Sequence, residues 1–328
     1  MIKRSELRQD IVSGDWILMA PGRSKRPHVP KYGTTRVRGP VSTCPFENPA
    51  RTNRVILTYE GKKGWELLVV ENLYPAVFER NQCGAERSRG PYRTVEGVGS
   101  HNVVITRDHN KNFAHLAPRE AIQVFAAFRD RYLQLLENPC IAYVSMFHNW
   151  GPAAGASIYH PHYQIIAIPV IPPDVEHSIR GSKRYYEKHH TCVHCTMLEF
   201  ERRAKKRIIY ENEGAIVVAP YVSREPYEVR VFPKRHAPHF ENSLEGDLAS
   251  VADALQVVLR RTEKALGDPD YNFFIHTAPI SKREKHAHYH WHIEVVPHSN
   301  ISAGFELGTG IEINVVDPDD AAKALRKR

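Results

Sequence analysis

No run of eighteen apolar residues occurs anywhere in the 328-residue chain, so no membrane-spanning helix is expected. The first ten residues are charged throughout with no apolar stretch behind them, which argues against a secretory leader and sets the expected location as the cytoplasm. Cysteine is scarce, five in all. Cys83 and Cys140 have no close partner in the sequence, so a disulfide framework is not expected. Aromatic and basic residues are not interleaved along a strand face as they are in RNA readers; most aromatics fall at core spacing. Charge of one sign does not dominate either: 45 Lys and Arg against 37 Asp and Glu leave +8, a modest excess that suits phosphorylated small molecules and would also suit nucleic acid. With 42% hydrophobic and 25% charged residues the chain is neither collagen-like, disordered nor a coiled coil, and its length allows one large domain or two ordinary ones.

What the chain has is histidine, 19 residues, many of them clustered. The stretch 103–105 reads as a strand, followed by Arg107-Asp108-His109. A helix is predicted over 118–137, with Ile122, Phe125, Ala126, Arg129, Tyr132, Leu133 and Leu136 on one face and Pro118 in its first turn. An apolar strand at 141–147, a Gly-rich turn at 151–155 and a second strand at 160–168 then form an antiparallel pair. The same order returns about 130 residues later. A strand at 229–232 precedes Lys234-Arg235-His236. A helix over 245–266 carries Leu248, Val251, Leu255, Val258 and Leu259, and strands at 272–276 and 290–296 follow. His109 matches His236, His160-Pro161-His162-Tyr163-Gln164 matches His290-Trp291-His292-Ile293-Glu294, and Cys44 matches Cys192. The pattern predicts a tandem duplication of one α+β unit with antiparallel sheets and packed helices, divided as residues 1–172 and 173–328, the boundary falling within 172–188.

In a strand, residues i and i+2 point the same way, so His160, His162 and Gln164 share a face. Imidazoles on one face are costly unless a metal, a phosphate or catalysis uses them. The preceding Gly155-Ala156-Ser157 offers backbone amides to a phosphate. In Cys192-Val193-His194-Cys195 two thiolates stand at the spacing that lets a tight turn present both to one metal.

His160-Pro161-His162-Tyr163-Gln164 after Gly155-Ala156-Ser157 resembles the HPHxQ active-site motif of galactose-1-phosphate uridylyltransferases, a branch of the histidine-triad superfamily. Ala20 to Pro27 resembles that family's APxRxxRP phosphate-contacting segment, Asn72-Leu73-Tyr74-Pro75 its nucleoside-pocket segment, and Asn149-Trp150-Gly151 its NxG turn. The resemblance implies two histidine-triad-like halves, a homodimer, and double-displacement transfer of UMP between UDP-glucose and galactose 1-phosphate or a related hexose 1-phosphate. By position it makes His162 the nucleophile, with Gln164 and Ser157 donating to the phosphoryl oxygens. It gives substrate contacts to Arg23, Arg26, Asn72, Asn149, Gly155, Phe305 and Glu306. It also implies two zinc sites: Cys44, Glu47, His109 and His160 in the first half, with a carboxylate where the family has thiolate, and a closed structural set of Cys192, Cys195, His236 and His290 in the second. His276 and His292 read as isolated polar strand residues, His286 and His288 as solvated, and Gly304 to Gly310 as a plain turn. Two alternatives compete. One is an ADP-glucose phosphorylase using inorganic phosphate, whose branch the CxxC pair resembles. The other is a zinc-stabilised nucleic-acid-binding protein, which the aromatic pattern disfavours. Partners are therefore a nucleotide sugar and a sugar phosphate, with neither nucleic acid nor membrane.

Overall fold

Runs of apolar residues such as Leu67-Leu68-Val69-Val70 and Ala215-Ile216-Val217-Val218 put buried side chains on both faces of one sheet, and that decides the architecture. The structure, a computed structural model, describes residues 4–25, 36–62, 64–80 and 82–327. The first half supplies β3 (Val55–Gly61), β4 (Gly64–Glu71), β7 (Ser100–Thr106), β8 (Tyr143–Trp150) and β9 (His162–Ile168). The second supplies β10 (Ile208–Glu211), β11 (Ala215–Val218), β12 (Val229–Pro233), β13 (Tyr271–His276) and β14 (His292–Pro297). They form a ten-stranded sheet in the order β10-β11-β12-β14-β13-β8-β9-β7-β4-β3. Every pairing in it is antiparallel. Read outward from the centre the two halves repeat the same order, so the duplication appears as two five-stranded units sharing the β8–β13 seam, where Phe273 stands opposite His148. A separate small sheet joins β1 (Glu6–Gln9), β2 (Trp16–Met19) and β15 (Ile313–Asn314), tying the N-terminal segment to the end of the chain.

One face of the large sheet is covered by α1 (Pro118–Leu135) and α4 (Glu245–Leu266), which lie against each other. Val104, Tyr163, Ile165, Phe273, Ile293 and Val295 from the strands meet Phe125, Phe128, Leu255 and Leu259 from the helices in a single core. Pro118 opens α1 where a missing N–H costs nothing, and the Glu120 carboxylate accepts the Ala117 N–H at 2.8 Å. The apolar face assigned to α4 is the buried one. That of α1 is turned by about one residue: Ala121, Val124, Phe128 and Leu135 are buried with Phe125 and Tyr132, while Leu133 is 44% exposed. Arg131 takes a place on that face because its guanidinium is fully engaged, by Asn102 Oδ1 at 2.8 Å, Ser100 Oγ at 2.9 Å and Glu79 Oε1 at 3.0 Å.

The region 172–188, where the boundary is expected, is taken up by α2 (Pro173–His189), followed by α3 (Val193–Ala204). Three further expectations change. The 304–310 segment forms α5 (Gly304–Thr309), ending on Gly310 at φ 71°, before the C-terminal α6 (Pro318–Arg326). His288 is buried rather than solvated, its Nε2 near the Ile179 carbonyl. Finally, Cys83 and Cys140 are joined in a disulfide. They lie 57 residues apart, which hid the pair from a local reading. The excursion between β4 and β7, which carries the exposed hairpin β5 (Glu86–Arg89) and β6 (Tyr92–Val95), is drawn over the end of α1 by the Glu79–Arg131 ion pair. That brings Cys83 to the turn before β8.

Closing a loop of that length removes chain entropy from the unfolded state worth up to about 4 kcal/mol. Reduction of the bond, or Cys140→Ser, is expected to lower Tm by several degrees in calorimetry. An unchanged Tm after complete reduction contradicts that contribution.

Candidate active site

The other face of the first half carries a small apolar cluster, Phe46, Leu68, Val70, Val103 and Ile105, and the site is built beside it. On β9 the odd residues Tyr163 and Ile165 enter the helix-covered core, so His162 and Gln164 point to the opposite face, where His162 stands across from Ile105 and Gln164 from Val103. Gly151 makes the turn into this strand. Its φ is 87°, and a Cβ there would strike the Asp270 carboxylate, which accepts the Ala153 N–H at 2.7 Å. Asn149 is fixed from the second half, its Oδ1 accepting from Asn272 Nδ2 at 2.7 Å. The amides of Ala154, Gly155 and Ala156 bond back inside the turn to Gly151 and Pro152 carbonyls, so the phosphate-holding role expected of the Gly155 turn does not fall to those three N–H groups. Ser157 follows them, exposed.

His162 is only 8% exposed, packed against Phe46 with ring centroids 5.0 Å apart. Its Nδ1 lies 2.9 Å from the His160 carbonyl. A carbonyl only accepts, so Nδ1 carries the proton and Nε2 is left with its lone pair. Burial holds the ring below the ordinary imidazole value, against the opposing pull of that carbonyl, and the neutral form is the one present at pH 7. Behind it His148, fully buried, approaches the His162 carbonyl with Nδ1 at 2.7 Å; burial pushes its pKa down to about 3.

Next to the nucleophile position, Cys44, Glu47, His109 and His160 present ligand atoms all within 4.8 Å of one another. His109 Nδ1 is 3.0 Å and His160 Nδ1 3.4 Å from Glu47 Oε1, and Cys44 Sγ is 3.6 Å from His160 Nδ1. Both rings turn their other nitrogen to a carbonyl: His109 Nε2 to Gly39 at 2.9 Å and His160 Nε2 to Thr106 at 2.7 Å. Each Nδ1 is thereby the unprotonated nitrogen, aimed at the centre of the cluster, which is the tautomer that metal ligation needs. Burial raises the Cys44 thiol.

In the second half Cys192, Cys195, His236 and His290 converge in the same way. Cys195 Sγ is 3.4 Å from His236 Nδ1 and 3.5 Å from His290 Nδ1, and His236 Nε2 faces the Ala287 carbonyl at 2.8 Å. Hydrogen bonding from Cys195 and from the two imidazoles holds the Cys192 thiol far below its usual value, and with that proton shared in this way the set fits a soft dication. His276 and His292 are not isolated: together with Glu294 they form a third group with ligand atoms within 4.8 Å.

Asn72 lies at the site, its Nδ2 3.1 Å from His101 Nε2. Arg23 is half-buried on a short 3-10 turn after β2, and Phe305 and Glu306 sit on α5. Among the described residues no hydrogen bond or ring contact joins them to His162, Gln164 or Ser157. Glu306 lies by Glu225, whose pKa is raised to about 8 by burial and then by Glu312, Glu228 and Glu306 itself. Arg26 lies outside the described residues. Sequence reasoning missed His101 and His148. Each was legible as a histidine in phase with apolar strand residues, His101 with Val103 and Ile105 on β7 and His148 with Val144, Met146 and Trp150 on β8.

The fold is therefore an α+β one in two repeated halves of a single antiparallel sheet, with His160 and His162 at the start of β9. Residues 1–172 match the family described as galactose-1-phosphate uridyl transferase, N-terminal domain, and residues 97–328 match a domain of unknown function. The chain is 33% identical to ADP-glucose phosphorylase of Arabidopsis thaliana over 98% of this chain and 92% of that protein. It is 28% identical to galactose-1-phosphate uridylyltransferase of Thermotoga maritima over 98% of each. The crystal structure of the Arabidopsis thaliana ADP-glucose phosphorylase with bound ADP-glucose superposes with a TM-score of 0.84 at 31% identity, covering 99% of both chains. The chain belongs to the galactose-1-phosphate uridylyltransferase family.

Because burial keeps His148, His160 and His162 neutral, unfolding takes up protons once the pH falls below about 6.5. Stability is expected to be flat above that value and to decline from there toward pH 3, and the His162 C2 proton, followed by NMR, should not titrate at 6.5 but below it. A midpoint at or above 6.5 contradicts the assignment.

Proposed function

We propose that the chain transfers a nucleoside monophosphate from a nucleotide sugar to a phosphate-bearing acceptor through a nucleotidyl-His162 intermediate. The observation that carries this is the His162 ring itself: Nδ1 committed to the His160 carbonyl, Nε2 free and neutral, on the strand that matches the family motif. Nε2 attacks the α-phosphorus, forming a P–N bond as the P–O bond to the β-phosphate breaks and the sugar 1-phosphate leaves with its electron pair. An acceptor phosphate oxygen then attacks the same phosphorus and the P–N bond breaks, regenerating neutral His162. Gln164 and Ser157 donate to the phosphoryl oxygens as charge spreads over them. Asn72, Asn149 and Gly155 line the nucleotide's approach. Arg23, Arg26, Phe305 and Glu306 stand as substrate contacts from the resemblance. In this reading residues 1–172 hold the chemistry and 173–328 hold a structural metal.

The first reading, with UDP-glucose as donor and galactose 1-phosphate as acceptor, rests on the motif resemblance and is supported by the galactose-1-phosphate uridyl transferase family matched by residues 1–172. A second reading, phosphorolysis of ADP-glucose, is favoured by the 33% identical relative and by the Cys192/Cys195 pair. Parallel incubation with radiolabelled UDP-glucose and ADP-glucose names the nucleotide. His162→Ala is expected to abolish acid-labile labelling with the fold intact by circular dichroism. Label retained on the Ala variant refutes the nucleophile.

The donor sets fit zinc at both four-residue sites. A bound zinc would supply positive charge and a cross-link that holds the start of β9. There Cys44, Glu47 and His109 fix His160, two residues from His162, and misplacement of a nucleophile by 1 Å costs up to about a hundredfold in rate. A carboxylate makes the first site harder and more readily protonated than the Cys2His2 site. On titration with chelator the first site is expected to release zinc before the second, with loss of labelling, and Glu47→Cys to raise retention without changing the nucleotide used. A single release phase, or full labelling after the first release, counts against Glu47 as a ligand.

A further inference from the structure

We propose that His101 is a positioning residue that locks the Gln164 side-chain amide with its oxygen turned away from, and its nitrogen turned toward, the reacting phosphoryl group; the inference rests on the function proposed above. Gln and phosphate are a pair with a wrong orientation: an amide NH2 stabilises phosphoryl oxygens, whereas the amide oxygen repels them, and rotation by half a turn exchanges the two. Something must choose, and the chain of hydrogen bonds through His101 does.

The chain begins at a main-chain amide. Ala76 N–H donates to His101 Nδ1 at 3.0 Å. A main-chain N–H has no other role than donor, so Nδ1 holds a lone pair and the neutral ring carries its proton on Nε2. Two groups face that nitrogen: Gln164 Oε1 at 2.8 Å and Asn72 Nδ2 at 3.1 Å. The Asn72 amide is itself fixed, because its Oδ1 accepts the Tyr74 N–H at 2.9 Å, and that leaves a nitrogen toward His101. A protonated Nε2 cannot receive a hydrogen bond from it, so the Gln164 oxygen is the acceptor. With that oxygen engaged, the amide plane is set and the Gln164 nitrogen is the group left to donate.

The register supports this geometry. Gln164 stands opposite Val103, and His101 is two residues from Val103 on β7, hence on the same face and diagonal to Gln164. His101 also faces the segment 72–76, where the nucleoside-pocket resemblance falls, so the loop that meets the nucleotide sets the tautomer that orients the phosphoryl donor. His101 touches no reacting atom in this arrangement; it acts through Gln164.

Two measurements test it on the intact chain. Nitrogen NMR of the His101 imidazole at neutral pH, without substrate, is expected to show a pyridine-like Nδ1 and a proton-bearing Nε2; a proton on Nδ1 overturns the inference whatever the protein's activity. Single-turnover labelling with whichever of UDP-glucose and ADP-glucose labels the wild type gives the second. His101→Phe should slow labelling by about tenfold or more with the half-saturating concentration changed less than about threefold, about 1.4 kcal/mol at the barrier. His101→Gln, which restores a donor to the Gln164 oxygen, should recover most of the rate. In a Gln164→Ala background His101→Phe should have no further effect. A rate within twofold of wild type for His101→Phe, no recovery in His101→Gln, or independent multiplication of the two losses each overturns it. Failure of the wild type to label with either sugar refutes the proposed function instead, and the tautomer still decides the hydrogen-bond chain.

Discussion

The constraint on which the site depends is that a neutral imidazole has one donor and one acceptor, and that main-chain groups decide which nitrogen is which. The carbonyls of Gly39, Thr106 and His160 take one nitrogen each from His109, His160 and His162, and the Ala76 N–H claims one from His101. What remains on each ring faces inward: two lone pairs toward Glu47 and Cys44, one toward open space at His162, one N–H toward Gln164. Side chains could rotate to undo such choices, but strand and turn backbone cannot without breaking the ladder. Chemistry at this site is therefore specified by backbone positions that any residue type could occupy, and only the imidazoles report it.

Burial then does the electrostatic part. The same packing that seats His162 against Phe46 keeps it uncharged, and that is the state a nucleophile needs. In the second half the matching position, His292, is also buried with its pKa held well below the ordinary value by burial and by His276 and His194, but Glu294 replaces the Gln that would face a phosphoryl group. A carboxylate in that place repels what an amide attracts. The scaffold repeats in both halves, while the His-x-Gln arrangement on which the proposed transfer rests occurs in one of them.

How much of this was legible in the sequence follows from how local each signal is. The repeat, both long helices and the antiparallel pairs were readable because period and order survive in the chain itself, and both four-residue clusters that the family resemblance implied come together in the fold. The buried face of α1 was misjudged by about one residue because Arg131 counts as polar in a sequence yet is satisfied by Asn102, Ser100 and Glu79, partners that only the fold assembles. The Cys83–Cys140 bond and the His101–Gln164 contact were invisible for the same reason: each joins segments whose proximity is created by a long excursion or a strand register, and neither leaves a periodic trace.

The seam between β8 and β13 makes the two halves depend on each other. Separated there, either half would present an edge strand with a row of unmatched amides and carbonyls, and β8 carries neither a proline nor an inward charge to discourage another strand from joining it. Asn272, which holds the Gly-rich turn beside the nucleophile through Asn149 and the Ala154 carbonyl, would be lost with the partner half. Residues 173–328 therefore serve residues 1–172 as both clamp of the Gly-rich turn and cover of the β8 edge.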